Sequence, residues 1–424
     1  MHIGKIIYYH RKKQKKTQEQ LCQGICSTTH LSKIENSPKE GNLETLEMLC
    51  NRLGISIEEE NKKTQFIRQQ LSQFYESIER VHRDNADRLY KELLANKDYI
   101  QCTEMIYLFE LYILRYLLAI DDIPEFEHLS SAMKKNINKF SSFEKYLWEF
   151  IQGIYFAIKQ QYARSVAILE KIEDKAELYS EKITDYYYYK AAMHGYLKHF
   201  TLSLHYSYKA LRIFQNTGNI LRIMHVKNGL AVNFIYINDL DQAEVMLKTV
   251  LNDAEMLKDK SIKISVLHNL GLLYSKKRRL QESLTFYSKC LQLKSKHTLG
   301  YYNTLVEYAQ VLLDLKENEK AANLLHEALN GFNELTSSKY VELMVLYLEA
   351  IEDKNSLMDY ISTEALPAME KDMNLYKAIK YSDRLAEFFE EKGDFTSANR
   401  YLHLSNNLLK KLTFNDGKQP VNID

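Results

Sequence analysis

The sequence predicts an all-α protein: a small basic helical module at the N-terminus, then a long array of stacked helix pairs. Three observations carry this. Helix breakers are scarce, with 13 glycines and 4 prolines beside 31 tyrosines in 424 residues, a composition poor in turn-formers and rich in amphipathic aromatics. The first sixty residues carry capping and core residues at helical spacing. From Thr64 onward the sequence repeats itself at intervals of about forty residues, the mark of units that bury their apolar faces on one another.

Composition also bounds the class. The longest apolar stretch, residues 107–120, is interrupted by Glu110 and Arg115, whereas a membrane span needs about 20 nearly uncharged residues. No membrane partner is expected. The N-terminus turns basic without the apolar core and small-residue cleavage site of an export signal, so the expected location is cytoplasmic. Cys22, Cys26, Cys50, Cys102 and Cys290 are scattered, and the Cys22/Cys26 pair lacks a second pair of ligands. Reduced thiols, no metal and no cofactor are expected. Net charge is only +1, yet seven cations meet two anions between Met1 and Glu35, which concentrates positive charge in the first module.

Within that module, Ile3, Ile7 and the stem of Arg11 share one face of a first helix, which ends in the basic run 11–16. Thr17-Gln18-Glu19-Gln20 has capping-box spacing, and Leu21 and Ile25 form the buried edge of a second helix. Gly24, Ile25 and Cys26 make a tight corner. Ser27 caps a third helix over 28–35, with Leu31 and Ile34 buried and small hydroxyl side chains at its exposed start, the pattern of a helix that reads DNA. Asn36-Ser37-Pro38 stops it. A fourth helix begins at Leu43 and ends at the Gly54 C-cap.

Ile3-Gly4, Ile7, Arg11, Thr17-Gln18, Leu21, Ile25-Cys26, residues 31–35 and 43–46 together resemble the helix-turn-helix of phage repressor and Cro proteins, the Xre/Cro type. The resemblance implies that Gln18, Ser27, Thr28, Thr29 and Lys33 face the major groove of a double-stranded DNA operator and that Arg11 and Asn36 hold phosphates. Hydroxyl and amide groups at a helix head reach base edges while basic side chains fix position on phosphates. One such module makes few contacts, so tight binding requires a homodimer or higher homo-oligomer on two half-sites.

The repeat is clearest at Gly271, followed by Tyr274, Ser283, Tyr287 and Cys290. Ala231 and Ala191 are its equivalents one and two steps back, at forty-residue spacing, and Gly153, Ala309 and Ala386 extend the series, the last with Phe389, Ala398 and Leu402. With weaker units at Phe74, Leu111 and Tyr347, about nine tetratricopeptide-like hairpins are expected. They should form a right-handed superhelix with a concave inner face. Taking Gly271 as position eight, the groove-facing positions hold Arg115, Asp185, Tyr188, His225, Asn228, His268 and Asn303, with Asn233 and Asn269 at the edge. Side-chain amides along such a face satisfy the N–H and C=O groups of an extended peptide, and an arginine can pair with a peptide carboxylate. The expected boundaries are a helix-turn-helix over 1–60, a linker helix region over 61–72, a peptide-binding array over 73–412 and a polar tail over 413–424. Residues 56–63 are the expected lever between the two main domains.

A Cro-type reader fused to nine such repeats resembles the peptide-responsive quorum-sensing regulators of Gram-positive bacteria, the Rap/Rgg/NprR/PlcR/PrgX family. The corner and Ile-Cys dipeptide are most similar to the PlcR branch, and the length to the NprR branch. The resemblance implies a cytosolic transcription regulator, not an enzyme, switched by a short signalling oligopeptide. Related proteins without the DNA-binding domain act on sporulation response regulators, so a Rap-like role on a response regulator, by sequestering it or as a phosphatase, is the alternative. There Gln69, Gln70 or Gln73 would position a water. No Gly-rich phosphate loop, HExxH or nucleophile elbow supports any other enzyme, and no catalytic residue is assigned.

Overall fold

The computed structural model describes residues 3–36, 41–331, 337–371 and 374–414, and among them there is no β-strand. The chain divides into two compact units, Met1–Ile223 and Met224–Asp424.

The first unit opens with α1 (Ile3–Lys13), α2 (Gln18–Cys22), α3 (Thr28–Asn36) and α4 (Leu43–Leu53). Thr17 and Gln20 form the expected capping box on α2, Asn42 caps α4, and Gly54 ends α4 in the left-handed conformation with φ 70°. Ile7, Leu21, Cys22, Leu31, Ile34, Leu49, Cys50 and Leu53 close a single small core. These apolar positions recur every three or four residues, which is why each short helix has one buried stripe. Ser37 and Pro38, expected to stop α3, lie outside the described residues. The expected lever at 56–63 opens a helix: α5 runs unbroken over Ile57–Glu79, carrying the 61–72 region with it. Three glutamates in its first turn and the absence of Gly or Pro favour continuation.

Nine helical hairpins follow among the described residues. The first unit holds Ile57–Glu79 with Arg83–Ala95, Ile106–Ala119 with Ile123–Lys134, Ser142–Ile158 with Tyr162–Lys171, and Tyr186–Tyr196 with Phe200–Asn216. The second unit begins within Ile220–Tyr236, paired with Leu240–Met256. Lys260–Lys276 with Leu280–Leu293 and Leu299–Asp314 with Asn318–Asn330 follow. The eighth hairpin pairs Ser337–Ala350 with a segment that runs through Lys354–Tyr360, a π turn at Ile361–Ala365 and Leu366–Lys371. The ninth pairs Leu375–Glu391 with Phe395–Phe414. Pro367 has no N–H to give Thr363, and the wider turn just before it is the local answer.

Where the two helices of a hairpin cross, the small residues lie as expected. A Cβ on Gly271 would sit 2.5 Å from the Tyr287 ring, and one on Gly153 2.8 Å from Leu169. The partner twelve residues on is often a serine whose hydroxyl donates to the carbonyl of the small residue: Ser165 to Gly153 at 2.7 Å, Ser203 to Ala191 at 2.9 Å, Ser283 to Gly271 at 2.7 Å. Elsewhere the pair is two alanines, Ala231 with Ala243 and Ala309 with Ala321, all fully buried. In the ninth hairpin Ala386 and Ala398 are buried as expected, but Leu402 is 44% exposed, and Ser405 and Leu408 take the inward positions.

The turn inside each hairpin holds one left-handed residue: Val81, Asp121, Gln160, Lys198, Asn238, Arg278, Lys316, Glu352 and Gly393 in order. The next residue's N–H usually returns to the carbonyl five back, as His82 to Ser77 and Asp239 to Phe234, closing the helix end. Only the last is glycine, so the low glycine content does not mean that turns are absent.

Candidate functional site

The reader head presents the head of α3 to solvent. Ser27, Thr28, Thr29 and Lys33 are exposed, and the Ser27 hydroxyl accepts the His30 N–H at 3.1 Å, so it also starts the helix. Gln18 begins α2 half-buried, its amide donating to Glu35 at 2.8 Å. Arg11, expected on phosphate, is 5% exposed. Its guanidinium donates to both Glu35 carboxylate oxygens at 2.6 and 2.8 Å and to the Lys16 carbonyl at 3.0 Å. A buried arginine paired in this way is held by Glu35 rather than presented to solvent. Asn36 is exposed but its amide turns back to the Ser32 carbonyl at 2.8 Å. A depression beside these groups is rimmed by Lys12, Lys15 and Lys16. These three, visible in the sequence only as part of a basic run, line that depression together with Arg11 and Asn36.

In the first unit the expected inner-face residues Arg115 and Tyr188 lie at a buried polar cluster. Asp185 is fully buried, and its Oδ2 accepts from Arg115 at 2.9 Å and from Arg222 at 3.4 Å. Arg115 also donates to the Tyr189 hydroxyl at 3.0 Å, and the Arg222 guanidinium stacks 4.7 Å from the Tyr188 ring. Arg115 was expected to pair with a peptide carboxylate; here it shares the Asp185 carboxylate with Arg222. Arg115 Nε, Asp185 Oδ1 and the hydroxyls of Tyr75 and Tyr146 are buried with no hydrogen-bond partner. Glu79 is buried beside them, its Oε1 taking the Thr184 N–H at 2.6 Å. Burial first, then the nearby Asp185 charge, pushes its carboxyl up to about 8.

In the second unit Asn269 donates to Asn228 at 2.8 Å and Asn228 donates to Ser265 at 2.8 Å, a ladder across adjacent hairpins. Asn228 thus accepts from one neighbour and donates to the other, so both amides expected on the inner face already have partners within the repeats. His268 Nδ1 pairs with the Thr304 hydroxyl at 3.1 Å, which also accepts from Lys294 at 2.6 Å. Burial, then the Lys294 charge, draws the His268 imidazole down to about 4, so it is neutral. His225 is half-buried, Asn233 buried and Asn303 exposed. Gln70 is buried and donates to Glu92 at 2.9 Å, while Gln69 and Gln73 are exposed on α5.

Residues 7–59 match the helix-turn-helix family model. Over 408 residues the sequence is 24% identical to the transcriptional activator NprA of Geobacillus stearothermophilus, covering 92% of this chain and 99% of that one. The quorum sensor NprR from B. thuringiensis, solved in its apo form, superposes with a TM-score of 0.70 at 24% identity over 81% of this chain and 99% of its own. NprR in complex with its cognate peptide NprX gives 0.68, covering 81% of this chain and 98% of its own. The chain is similar to these proteins over most of its length. This NprR-type likeness shows the fold expected from the sequence, an all-α helix-turn-helix followed by tetratricopeptide-like repeats. The regulatory protein RapD of Bacillus subtilis (strain 168) is 23% identical over 300 residues, 68% of this chain and 83% of RapD. Among the described residues no helix is long and apolar enough to cross a membrane.

Proposed function

We propose that this chain is a cytosolic transcription regulator that binds a double-stranded operator as a homo-oligomer and is switched by a short peptide held on the inner face of its repeats. The observation that carries it is the exposed hydroxyl head of α3 beside the Lys12, Lys15 and Lys16 rim, on a chain whose repeats place asparagine amides in a row. The peptide-bound form of NprR supports the second half by analogy of fold.

Duplex selection from a randomised pool tests the first half. The wild-type chain should enrich a motif with two half-sites. Thr28→Ala with Thr29→Ala should flatten its preference at one or two positions, each worth about 1–3 kcal/mol. Lys12→Gln, Lys15→Gln and Lys16→Gln should each weaken all duplexes alike and lower the salt slope by about one. An unchanged motif in the threonine double variant removes the recognition-helix assignment. For the second half, calorimetry against a synthetic short-peptide pool should find a binder whose affinity falls in Asn228→Ala and Asn269→Ala while duplex binding holds. Unchanged peptide affinity removes the inner-face assignment.

A second reading is a Rap-like grip on a response regulator. It draws support from exposed Phe66, Gln69 and Gln73 on α5, whereas Gln70 is engaged by Glu92. A phosphorylated receiver domain that keeps its phosphate and fails to co-migrate with this chain would dispose of it.

A further inference from the structure

Helix α5 is held at both ends through glutamate side chains withdrawn from water, Glu60 and Glu79, and the two ends hold different parts of the first unit. At its first turn Glu60 is 6% exposed. Its Oε1 pairs with His10 Nε2 of α1 at 2.9 Å, and its Oε2 accepts from the Tyr99 hydroxyl at 2.7 Å. Tyr9 of α1 meets the Tyr99 ring edge-on with centroids 5.4 Å apart, and Lys63 Nζ lies 3.8 Å from that ring centroid. The reader head is thus seated on α5 by α1. At the last turn the Glu79 side chain takes the Thr184 N–H, and its backbone carbonyl accepts from Arg222 Nε at 3.0 Å and from Asn219 at 3.3 Å. Arg222 is shared between that carbonyl and Asp185, and Thr184 precedes Asp185 in the chain. Any change in how Asp185 is engaged therefore alters two of the contacts that fix Glu79.

We propose that α5 is a transmission rod: engagement of Asp185 and Arg115 is registered at Glu79 and delivered through Glu60 to His10, setting how firmly α1 of the reader head is held. An unbroken helix of 23 residues spans about 35 Å and does not bend easily without Pro, Gly or a bulge. The input end is under-satisfied, since Asp185 Oδ1 and Arg115 Nε are buried and unpaired. A polar ligand group reaching either atom gains a bond with no competing partner there and redistributes the hold of Arg222. Coupling between distant sites requires such a shared element with two arrangements. The identity of the ligand rests on the peptide reading above; the mechanical link does not.

Hydrogen exchange of the full chain, with neither peptide nor duplex present, tests it. Asp185→Asn, about a helix length from the reader head, should speed exchange of the α1 amides on the order of tenfold. In a Glu60→Ala background, where α1 is already released, adding Asp185→Asn should change α1 by less than about twofold, a non-additivity that identifies a shared path. Asn219→Ala, which removes a single bond to Glu79, should give the same pattern more weakly. It decides the matter if Asp185→Asn shows no cooperative melting by circular dichroism. Faster exchange at residues 77–80 with α1 unchanged in the remote variants overturns the rod. That result leaves operator and peptide binding untouched, because neither is measured.

Discussion

Arg11 and Glu35 show what one pair of residues does to the reader head. The pair lies 24 residues apart in sequence, and Glu35 also holds Gln18, so one buried carboxylate fixes α1, α2 and α3 together. Removing one partner leaves the other charged and dry. Arg11→Met should lower the unfolding free energy of the module by about 3–5 kcal/mol, whereas Arg11→Met combined with Glu35→Leu should recover much of that loss. Denaturant melts of residues 1–60, followed by α1–α4 exchange in the full chain, measure both; a double variant as unstable as the single one would show that the pair contributes more than charge cancellation. Local signals were legible here: the Thr17 box, the Leu31 and Ile34 stripe and the Gly54 cap each act within a few residues. The Arg11 pairing was not, because an arginine beside a basic run has the same pattern whether it points to solvent or to an acid on another helix.

At the scale of the hairpin, the crossing residues rank themselves. Gly271→Ala would drive a Cβ into the flat, fully buried Tyr287 ring, while Gly153→Ala meets the more adjustable end of Leu169. The first should cost several kcal/mol, above the usual 1–3 kcal/mol of overpacking, and the second should fall within it. Thermal melts of the two variants check the order. Val81 is β-branched at φ 61°, so Val81→Gly should stabilise the first hairpin by about 1 kcal/mol, the relief of a left-handed backbone exceeding the added unfolded-state entropy. A lower midpoint would mean that the Val81 side chain packs better than its 47% exposure implies. The forty-residue period was readable from Gly271, Ala231 and Ala191 because only small residues fit a helix crossing. The turns were not, since Lys, Arg, Asn and Glu accept the left-handed conformation at a cost that composition does not display.

Over the whole molecule, the segment between the first four helices and the repeats is the start of one continuous helix. Residues 56–63 have the charge pattern of a flexible connector and also that of a good helix start; only the pairing of Glu60 with His10 and Tyr99 decides between them, and it is invisible locally. The far end of the same helix makes stability depend on pH. The folded chain keeps the Glu79 carboxyl protonated up to about pH 8 among Asp185, Arg115, Tyr75 and Tyr112, whereas in the unfolded chain it ionises near 4.5. Unfolding between those values releases a proton, so raising the pH across that window should destabilise the chain, by up to about 1.4 kcal/mol per pH unit. Glu79→Gln should flatten that part of the profile, and melting series at stepped pH measure the difference; identical slopes would refute the assignment. The asparagine ladder, finally, has thermodynamic consequences for any guest. Asn269 gives its proton to Asn228 and Asn228 gives its own to Ser265, so a newcomer that bonds these amides exchanges an existing partner for itself. The tally of polar contacts barely changes, and the driving force must come from dehydrated apolar surface. Titration calorimetry should then record a modest heat whose temperature coefficient is clearly negative.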